Sequence, residues 1–468
     1  MSVGGLVSGM DTQTIISQLM QIEANPQTLL KQRLSATQSQ ATAYRALNTR
    51  FDALRSAAEA LTTDANAWKP AKATASSTTV TASASAGAAP GSVTFTVNNV
   101  ATSHSVRSDK IWTVTGTQTA ADLDYGATTL DITMGGTTTT LDLDRDGNGT
   151  ATLAEAAAAI NAKTELGLTA TAVRVSPTEY RLQVATSKTG ASSEFTVGAA
   201  GTFDPVTQGA DAKLTVGTGP GAFTMTSSTN TFTGLLDGTV ITVSEPAAAV
   251  TLKVAADPEA LATKVAALVN AANGLLDSIS SYTDYESTSA ALKGDATLRQ
   301  LSGQILDTVA RALGSNGSLS VAGVELSKDG QHLDFDKATF VSKLTAEPAL
   351  VQGLFTGTSR TNGPDGTAGT TDDVTTPTGL AARLAALAKT ASDDTTGTLT
   401  LLAKGKDSTA EDLQDRIDAW DIRLELRRTT LTRQFTAMEV ALSSLQNQSS
   451  WLSSQISSLP SWNTNSKS

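Results

Sequence analysis

The chain has 468 residues, with 34 Lys or Arg, 45 Asp or Glu and a formal net charge of −11. It contains no cysteine and only two histidines, His104 and His332, which excludes disulfides, thiol nucleophiles and thiolate zinc sites and argues against a histidine relay or metal cluster. These absences make enzymatic activity unexpected. The net negative charge disfavours binding to nucleic acid or anionic lipid, so we do not expect these partners.

Two helices in line are predicted near the N-terminus. Asp11 has the side chain of a helix N-cap, and apolar residues recur behind it at helical spacing. Pro26 lacks a backbone donor and its ring clashes with the preceding turn, so the helix should bend or break there. The pattern therefore predicts helices at about 11–24 and 26–64.

The middle of the chain has a different pattern, rich in Ala, Ser and Thr with alternating apolar positions. Residues 71–107 and 212–254 show this alternation, as in Val93–Val97, and predict strands. Residues 111–204 continue the pattern around one predicted helix at about 153–163. His104 lies near a predicted strand end, where we expect it at the surface.

A mainly helical pattern returns from Pro258. Within residues 319–335, which should form strands, the dipeptide Asp329-Gly330 predicts a hairpin turn. The segment Thr361–Pro377 is rich in Gly, Thr, Asp and Pro and has no periodicity, which predicts a loop or linker.

A long helix is predicted at the C-terminus, opened by a capping-box pattern at Ser408 and Glu411. Its apolar residues recur at steps of four and three, typical of a coiled-coil seam, and Arg427 interrupts the seam like a stutter. This seam could pack on the N-terminal helices of the same chain or on other subunits. About fifty residues of helix span ~70 Å, more than one small domain covers, which favours other subunits for at least part of it.

The apolar stripes of both chain ends form the candidate assembly surface, because exposed Leu, Phe and Met on a helix need a partner. Four of its members, Leu19, Leu445, Trp451 and Leu452, should contribute most, unless they only pack one end of the chain on the other. The full set is Leu6, Ile15, Leu19, Leu30, Leu34, Leu431, Phe435, Met438, Leu442, Leu445, Trp451 and Leu452.

One segment matches the template of a calcium loop, D-x-[DN]-x-[DN]-G-x5-E. Its oxygen ligands would be Asp144, Asp146, Asn148 and Glu155. Gly149 would give the sharp turn and Glu155 would close the site bidentately. The alternative is a turn followed by a capping box of Thr152 and Glu155, and it is favoured because a strand, not a helix, enters the loop. Apart from calcium, no cofactor is expected.

The order helix, sheet, inserted sheet, sheet, helix predicts an α+β multidomain fold, with a discontinuous helical leg domain, long terminal coiled-coil helices and two nested mainly-β head domains. No stretch approaches the ~18 apolar residues of a membrane span. The predicted parts are terminal coiled-coil segments at 1–40 and 436–468, a helical leg domain at 41–72 and 258–435 with a small β hairpin, a β head domain at 73–110 and 205–257, and an inserted β-α-β outer domain at 111–204.

Several short segments, in this order along the chain, resemble one family. They are Gly5–Asp11, Gly91–Val97, Thr231–Thr239, Val269–Asn273, Gly294–Arg299, Gln434–Glu439 and Gln448–Ser450. Together they resemble the flagellar filament cap family, also called hook-associated protein 2. Residues 153–182 are similar to the small β-α-β insertion shared by flagellins and hook-associated proteins, whereas the loop 361–377 is not part of the family pattern.

The resemblance implies a structural role without catalysis. Such proteins leave the cell unfolded through the flagellar type III export channel, which agrees with a Met1–Leu6 segment unlike a cleaved signal peptide. They form a homo-oligomeric ring at the distal, extracellular tip of the filament, retain arriving flagellin and promote its folding and insertion. Their terminal helices stay mobile until they dock.

Further partners implied by the resemblance are the hook-filament junction proteins, the export apparatus and an export chaperone that binds the C-terminal helix. The alternative function is a surface adhesin that uses the distal β domains to bind glycans or host surfaces. Adhesion and capping can coexist in one protein.

Overall fold

The computed structural model describes residues 11–310, 318–365, 367, 371 and 373–458. The chain forms two compact units, one made of residues 63–263 and the other of residues 1–62 together with 264–468. The fold is α+β and multidomain, as predicted. Among the residues described, no helix has the length and apolar character needed to cross a bilayer.

The α-helices of the described residues are α1 (Thr12–Glu23), α2 (Asn25–Thr62), α3 (Leu153–Ala162), α4 (Pro258–Thr283), α5 (Ala296–Ala310), α6 (Lys337–Ala346), α7 (Pro348–Thr356), α8 (Leu380–Ser392) and α9 (Thr398–Ser457). Short 3-10 helices lie at Ala120–Asp122, Thr164–Leu166, Ala191–Ser193 and Leu319–Ala322.

The strands are β1 (Ala71–Ala75), β2 (Val80–Ala84), β3 (Gly91–Asn99), β4 (Ser103–Ser108), β5 (Trp112–Thr113), β6 (Thr129–Met134), β7 (Thr137–Asp142), β8 (Leu168–Arg174), β9 (Glu179–Thr189), β10 (Phe195–Val197), β11 (Phe203–Thr207), β12 (Ala212–Val216), β13 (Phe223–Ser227), β14 (Thr231–Thr233), β15 (Thr239–Val243), β16 (Ala247–Ala256), β17 (Val324–Leu326), β18 (Leu333–Phe335), β19 (Thr358–Thr361) and β20 (Val374–Pro377).

The helix break at Pro26 is confirmed and is short. Helix α1 begins after Asp11, whose carboxylate accepts the Thr14 N–H at 3.0 Å, and ends at Glu23. Pro26 is the second residue of α2, where its missing donor costs nothing because the first turn has no intrahelical acceptor to reach.

The predicted start of the C-terminal helix was wrong. Helix α9 begins at Thr398, so Ser408 and Glu411 lie well inside it and cap nothing. Leu399 and Ala403 are buried on the face that packs against the rest of the unit. Because this burial stabilises the added turns, tertiary packing overrides the local capping signal.

Two segments of the helical unit differ in part from the pattern predicted for them. The Asp329-Gly330 hairpin is confirmed as β17 and β18, but Leu319–Ala322 is a 3-10 helix, not a strand. Thr361 and Pro377, the ends of the predicted loop, belong to the antiparallel pair β19 and β20. Cross-strand pairing therefore supplies the order that local sequence does not show.

The unit of residues 63–263 contains two hydrophobic cores. The first lies around the sheet β1-β16-β3-β12-β13 and the smaller sheet β14-β15-β2, with Phe95, Leu214 and Leu252 fully buried. The second lies around α3, the sheet β10-β6-β7 and the sheet built on β4 and β9, with Ile132, Leu153 and Leu182 at its centre.

Strand β4 pairs with β9 and β11, so it belongs to the sheet of the second core although it precedes residue 111. The chain enters and leaves this core at neighbouring points, because the Thr102 N–H donates to the Ala210 carbonyl at 3.0 Å. The four-part division predicted from the sequence is finer than the two compact units and stays a prediction.

His104 is buried, not at the surface as expected. Its Nδ1 accepts the Gly209 N–H at 3.3 Å, so Nε2 carries the proton and donates to the Phe195 carbonyl at 3.1 Å. The imidazole thus joins β4, β10 and the segment before β12 through two backbone groups that would otherwise be buried without partners.

Candidate assembly surface

The two ends of the chain pack together as antiparallel helices, α1 and α2 against α9. In four contacts between their side chains, among the residues that the structure describes, the two residue numbers add up to between 448 and 452. These contacts are Glu23 with Arg427, Gln27 with Asp421, Arg45 with Asp407 and Asn48 with Thr400. A constant sum means that the helices run side by side in one fixed register.

The register is fixed by a buried polar side chain. Gln27 is only 5% exposed, and its Nε2 donates to Asp421 Oδ1 at 2.5 Å and to the Ile417 carbonyl at 3.4 Å. A shift along the seam would leave this buried amide without partners, at a cost in free energy. A purely apolar seam has no such group and would tolerate the shift. Arg427, predicted to interrupt the seam, donates from Nε to Glu23 Oε1 at 2.8 Å.

Part of the candidate assembly surface packs within the chain. Leu431 is buried, as is the neighbouring Ile16. Six further members are half-buried, namely Ile15, Leu30, Leu34, Phe435, Met438 and Leu442. For these residues the structure favours the alternative left open by the sequence, in which one end of the chain packs on the other.

The four residues expected to contribute most are all exposed. Leu19 is 40% exposed, and Leu445, Trp451 and Leu452 are 55–63% exposed. Leu6 lies outside the described residues. The role of the four exposed residues in assembly stays a prediction. Within the described chain, much of the surface of each of these side chains remains accessible to a partner.

Sequence reasoning missed a second exposed stripe. Ile422 and Leu426, one helical turn apart, are 66% and 65% exposed and lie off the seam that contains Ile417 and Leu431. On the N-terminal side Ile22 and Leu29 are also exposed. The signal was present, because apolar residues four apart on the polar face of a helix indicate a second contact surface.

The loop of the calcium template is held by its own backbone. The Asp144 carboxylate accepts the N–H groups of Gly147, Asn148 and Gly149 at 2.8–3.0 Å. Glu155 Oε2 accepts the backbone N–H and the hydroxyl of Thr152, which completes a capping box. Among the described residues no three His, Asp or Glu side chains come close enough to share a metal ion.

A charged cluster joins the β17–β18 hairpin to α4. His332 Nε2 lies 2.8 Å from Asp277 Oδ1, and its Nδ1 lies 3.8 Å from Asp329 Oδ2. The hydrogen bond to Asp277 and the charges of both carboxylates raise the pKa of His332. Hydrogen bonds from Ser327 and Gln331 lower the pKa of Asp329 and keep it charged beside the imidazolium.

Comparison with known proteins places most of the chain in one family. The model described as Flagellar hook-associated protein 2 C-terminus matches residues 209–447, and the model of the N-terminus of the same protein matches residues 8–104. Residues 105–208, between the two, lie outside both matches. This stretch contains most of the second core, from β4 to β11.

Individual relatives agree with the family models. The chain is 25% identical over 493 residues to the Flagellar hook-associated protein 2 of Escherichia coli K12, which covers 99% of this chain and 98% of that one. It is 28% identical over 209 residues to the Lateral flagellar hook-associated protein 2 of Vibrio parahaemolyticus, which covers 41% of this chain and 46% of that one.

The fold is similar to a solved structure, the flagellar cap protein FliD D1-D2-D3 domains from Escherichia coli. The TM-score is 0.54 at 23% identity, covering 78% of this chain and 99% of the other. At this identity the likeness concerns the fold.

We expect the 144–155 loop to act as a turn and a cap. Millimolar calcium should leave the thermal unfolding of the full chain unchanged, and Thr152→Ala should cost about 1 kcal/mol because a capping hydroxyl is lost. Glu155→Gln is the discriminating variant, because glutamine keeps the capping geometry but is a poor calcium ligand. A thermal shift with calcium that disappears in Glu155→Gln would instead establish a calcium site.

The His332 cluster should make stability depend on pH. Since the folded-state pKa of His332 is raised, its contribution is complete below the unfolded value of about 6.5 and is lost as pH rises through the folded value. The pair is partly exposed, so the effect should stay below about 1 kcal/mol.

The measurement is the difference in thermal midpoint between the parent chain and His332→Gln at about pH 5.5 and about pH 8.5. We expect a clear difference at the lower pH and almost none at the higher pH, with Asp277→Asn showing the same trend. Equal differences at both pH values would contradict this account.

Proposed function

The chain belongs to the flagellar hook-associated protein 2 family, and we propose that it caps the distal, extracellular tip of a bacterial flagellar filament as a homo-oligomer. In this role it retains flagellin arriving through the filament and promotes its folding and insertion beneath the cap. The role needs no catalytic group, only surfaces that bind other protein subunits. The relatives named above and the exposed helical surfaces of this chain support the proposal.

The observation that carries the proposal is the far end of α9. Beyond Met438, Leu442 is half-buried, but five large apolar side chains of the described residues are 55–65% exposed, namely Val440, Leu445, Trp451, Leu452 and Ile456. Burying one such side chain fully contributes roughly 1.5–3 kcal/mol, so leaving several in water is costly unless a partner covers them. A subunit of an assembly meets that requirement.

Composition supports the same role. Only 20 of the 468 residues are aromatic and none is cysteine, so the chain can be kept unfolded and threaded without forming disulfides. We propose that the type III export apparatus and a chaperone bound to the C-terminal helix serve this step. Before assembly, such a chaperone would cover the exposed end of α9. At the start of filament growth, the chain would contact the hook-filament junction proteins.

Adhesion remains a second proposal for the β unit. Beside His104 a cleft of about 550 Å³ opens between β10 and β11. Gln208 Nε2 donates to Glu194 Oε1 at 2.8 Å on its wall, and Phe203 also lines it. A carboxylate, an amide and an aromatic ring are groups that hold sugars, so this cleft is the place where an adhesin function would act.

The capping proposal is tested by charging the end of α9. Trp451→Glu with Leu452→Glu should abolish homo-oligomers and motility while leaving the folded monomer intact, because both side chains are exposed. Native mass spectrometry and swimming assays measure the two effects. Ser454→Glu adds charge on the same exposed turn without removing apolar surface and should change neither. Unaltered assembly and motility in the double variant would contradict the proposal.

Capping and adhesion are separated by deleting residues 103–209. Thr102 and Ala210 are already hydrogen-bonded, so a short Gly-Ser link can join them without strain in the first core. If capping depends only on the helical unit and the first core, the deletion strain should swim and assemble filaments. Loss of surface attachment with retained motility would assign adhesion to the removed part, whereas retained attachment would exclude it.

A further inference from the structure

We propose that the cleft between β10 and β11 binds a neutral sugar, whose hydroxyl groups donate hydrogen bonds to the side chains of the cleft. The inference rests on the adhesion proposal and names its class of ligand. The cleft has a volume of about 550 Å³, within the range of small-molecule sites. All of its lining residues except His104 lie within residues 105–208, the stretch outside both family models.

The polar groups of the cleft that remain free are mainly acceptors of hydrogen bonds. Gln208 Nε2 donates to Glu194 Oε1 at 2.8 Å, which holds the two side chains together. Glu194 Oε2 and Gln208 Oε1 receive no hydrogen bond from the residues that the structure describes, and the lining hydroxyl of Thr196 has no partner among them either. A ligand that satisfies these oxygens must supply donors, as sugar hydroxyls do.

The charge of the cleft disfavours acidic ligands. Among the described residues that line it, Glu194 is the only Asp, Glu, Lys or Arg. A sugar that carries a carboxylate or a sulfate would approach this negative charge with no lining cation to offset the repulsion. The class of ligand is therefore the neutral sugars.

Other lining residues are apolar. Phe203 and Pro205 of β11 line the cleft together with Val106 of β4. A sugar ring has a face of C–H groups as well as its hydroxyls, so it can contact apolar side chains and hydrogen-bond acceptors at the same time. This combination of an apolar lining and a few polar groups is typical of small-molecule sites.

The same cleft is a poor site for an extended peptide. Strands β10 and β11 are each the last strand of a sheet, and a peptide added as a further strand would need their free backbone groups. The Phe195 carbonyl already accepts from His104 Nε2 at 3.1 Å, and the Val197 carbonyl accepts from the Thr202 hydroxyl at 3.2 Å. Pro205 has no N–H to donate. These groups favour a small ligand held by side chains.

Assembly would strengthen binding at such a cleft. A single cleft offers few polar groups, so we expect one sugar to bind weakly. A homo-oligomeric cap displays one cleft in every copy, and a surface that carries many sugars would engage several of them together.

The test measures binding of free sugars to the full-length chain by ligand-observed NMR titration. The probes are two matched pairs, galactose with galacturonic acid and N-acetylglucosamine with its 6-sulfate, in which the second sugar adds an anionic group. We expect at least one neutral sugar to bind, and its acidic counterpart to bind more than about tenfold more weakly, because of Glu194.

A bulky side chain in the lining tests the location. Ala200 lines the cleft and is exposed, so Ala200→Trp should weaken binding of the neutral sugar more than about tenfold by filling the site. Ala154→Trp is the matched control, because Ala154 is exposed on α3 and does not line the cleft. The control should leave binding unchanged. Thermal midpoints of both variants show that the chain still folds.

Glu194→Gln tests the origin of the selectivity. Glutamine keeps an oxygen that can accept from Gln208 but carries no charge. We expect the variant to bind a neutral sugar and its acidic counterpart with affinities within about threefold of each other. An unchanged preference would overturn the role of Glu194.

The remaining outcomes separate this inference from the proposed functions. Absence of sugar binding, tighter binding of the acidic counterparts, or equal binding by the parent chain and Ala200→Trp would overturn the inference. The capping proposal, tested by homo-oligomers and motility, would stand in each case. Sugar binding in the cleft together with full surface attachment after deletion of residues 103–209 would overturn the adhesion proposal and leave the cleft as a sugar site.

Discussion

The antiparallel packing of the two chain ends is the interaction on which the rest of the structure depends. Residues near the start and near the end of the sequence meet along one seam, and residues 63–263 form a separate compact unit inserted between the two parts of the helical unit. The buried amide of Gln27, satisfied by Asp421 and the Ile417 carbonyl, fixes the register of that seam. Once the register is fixed, the position of each exposed side chain along one helix is determined relative to the side chains of the other helix.

The same seam divides the apolar residues of the chain ends into two groups. Leu431 and its half-buried neighbours stabilise the pair within one chain, whereas Trp451 and Leu452 at the far end of α9 remain in water. Ile422 and Leu426 remain in water for a different reason, since they lie on the outer side of a helix whose inner side is already occupied. Exposed apolar surfaces of this kind are available for contacts with other subunits, which the proposed cap function needs.

In the β unit, polar side chains form hydrogen bonds with backbone groups that are not paired in a β-sheet. The His104 ring serves the Gly209 N–H and the Phe195 carbonyl, and the Asp144 carboxylate serves three successive N–H groups of its loop. On the exposed edge strand β11, Pro205 has no N–H to offer. The missing donor of Pro205 opposes the pairing of a further strand on that edge.

The sequence by itself determined the α+β class, the helical ends, the central strands and the resemblance to a family, because apolar periodicity, turn dipeptides and short motifs are local properties of the chain. Only the tertiary structure decided the start of α9 at Thr398, the burial of His104 and the division of the apolar stripes into packed and exposed residues. Ser408 and Glu411 carry the capping signal of a helix start, yet the burial of Leu399 outweighs it. Periodicity shows that a helix face needs a partner, but which helix covers it depends on contacts hundreds of residues away, and no local pattern records them.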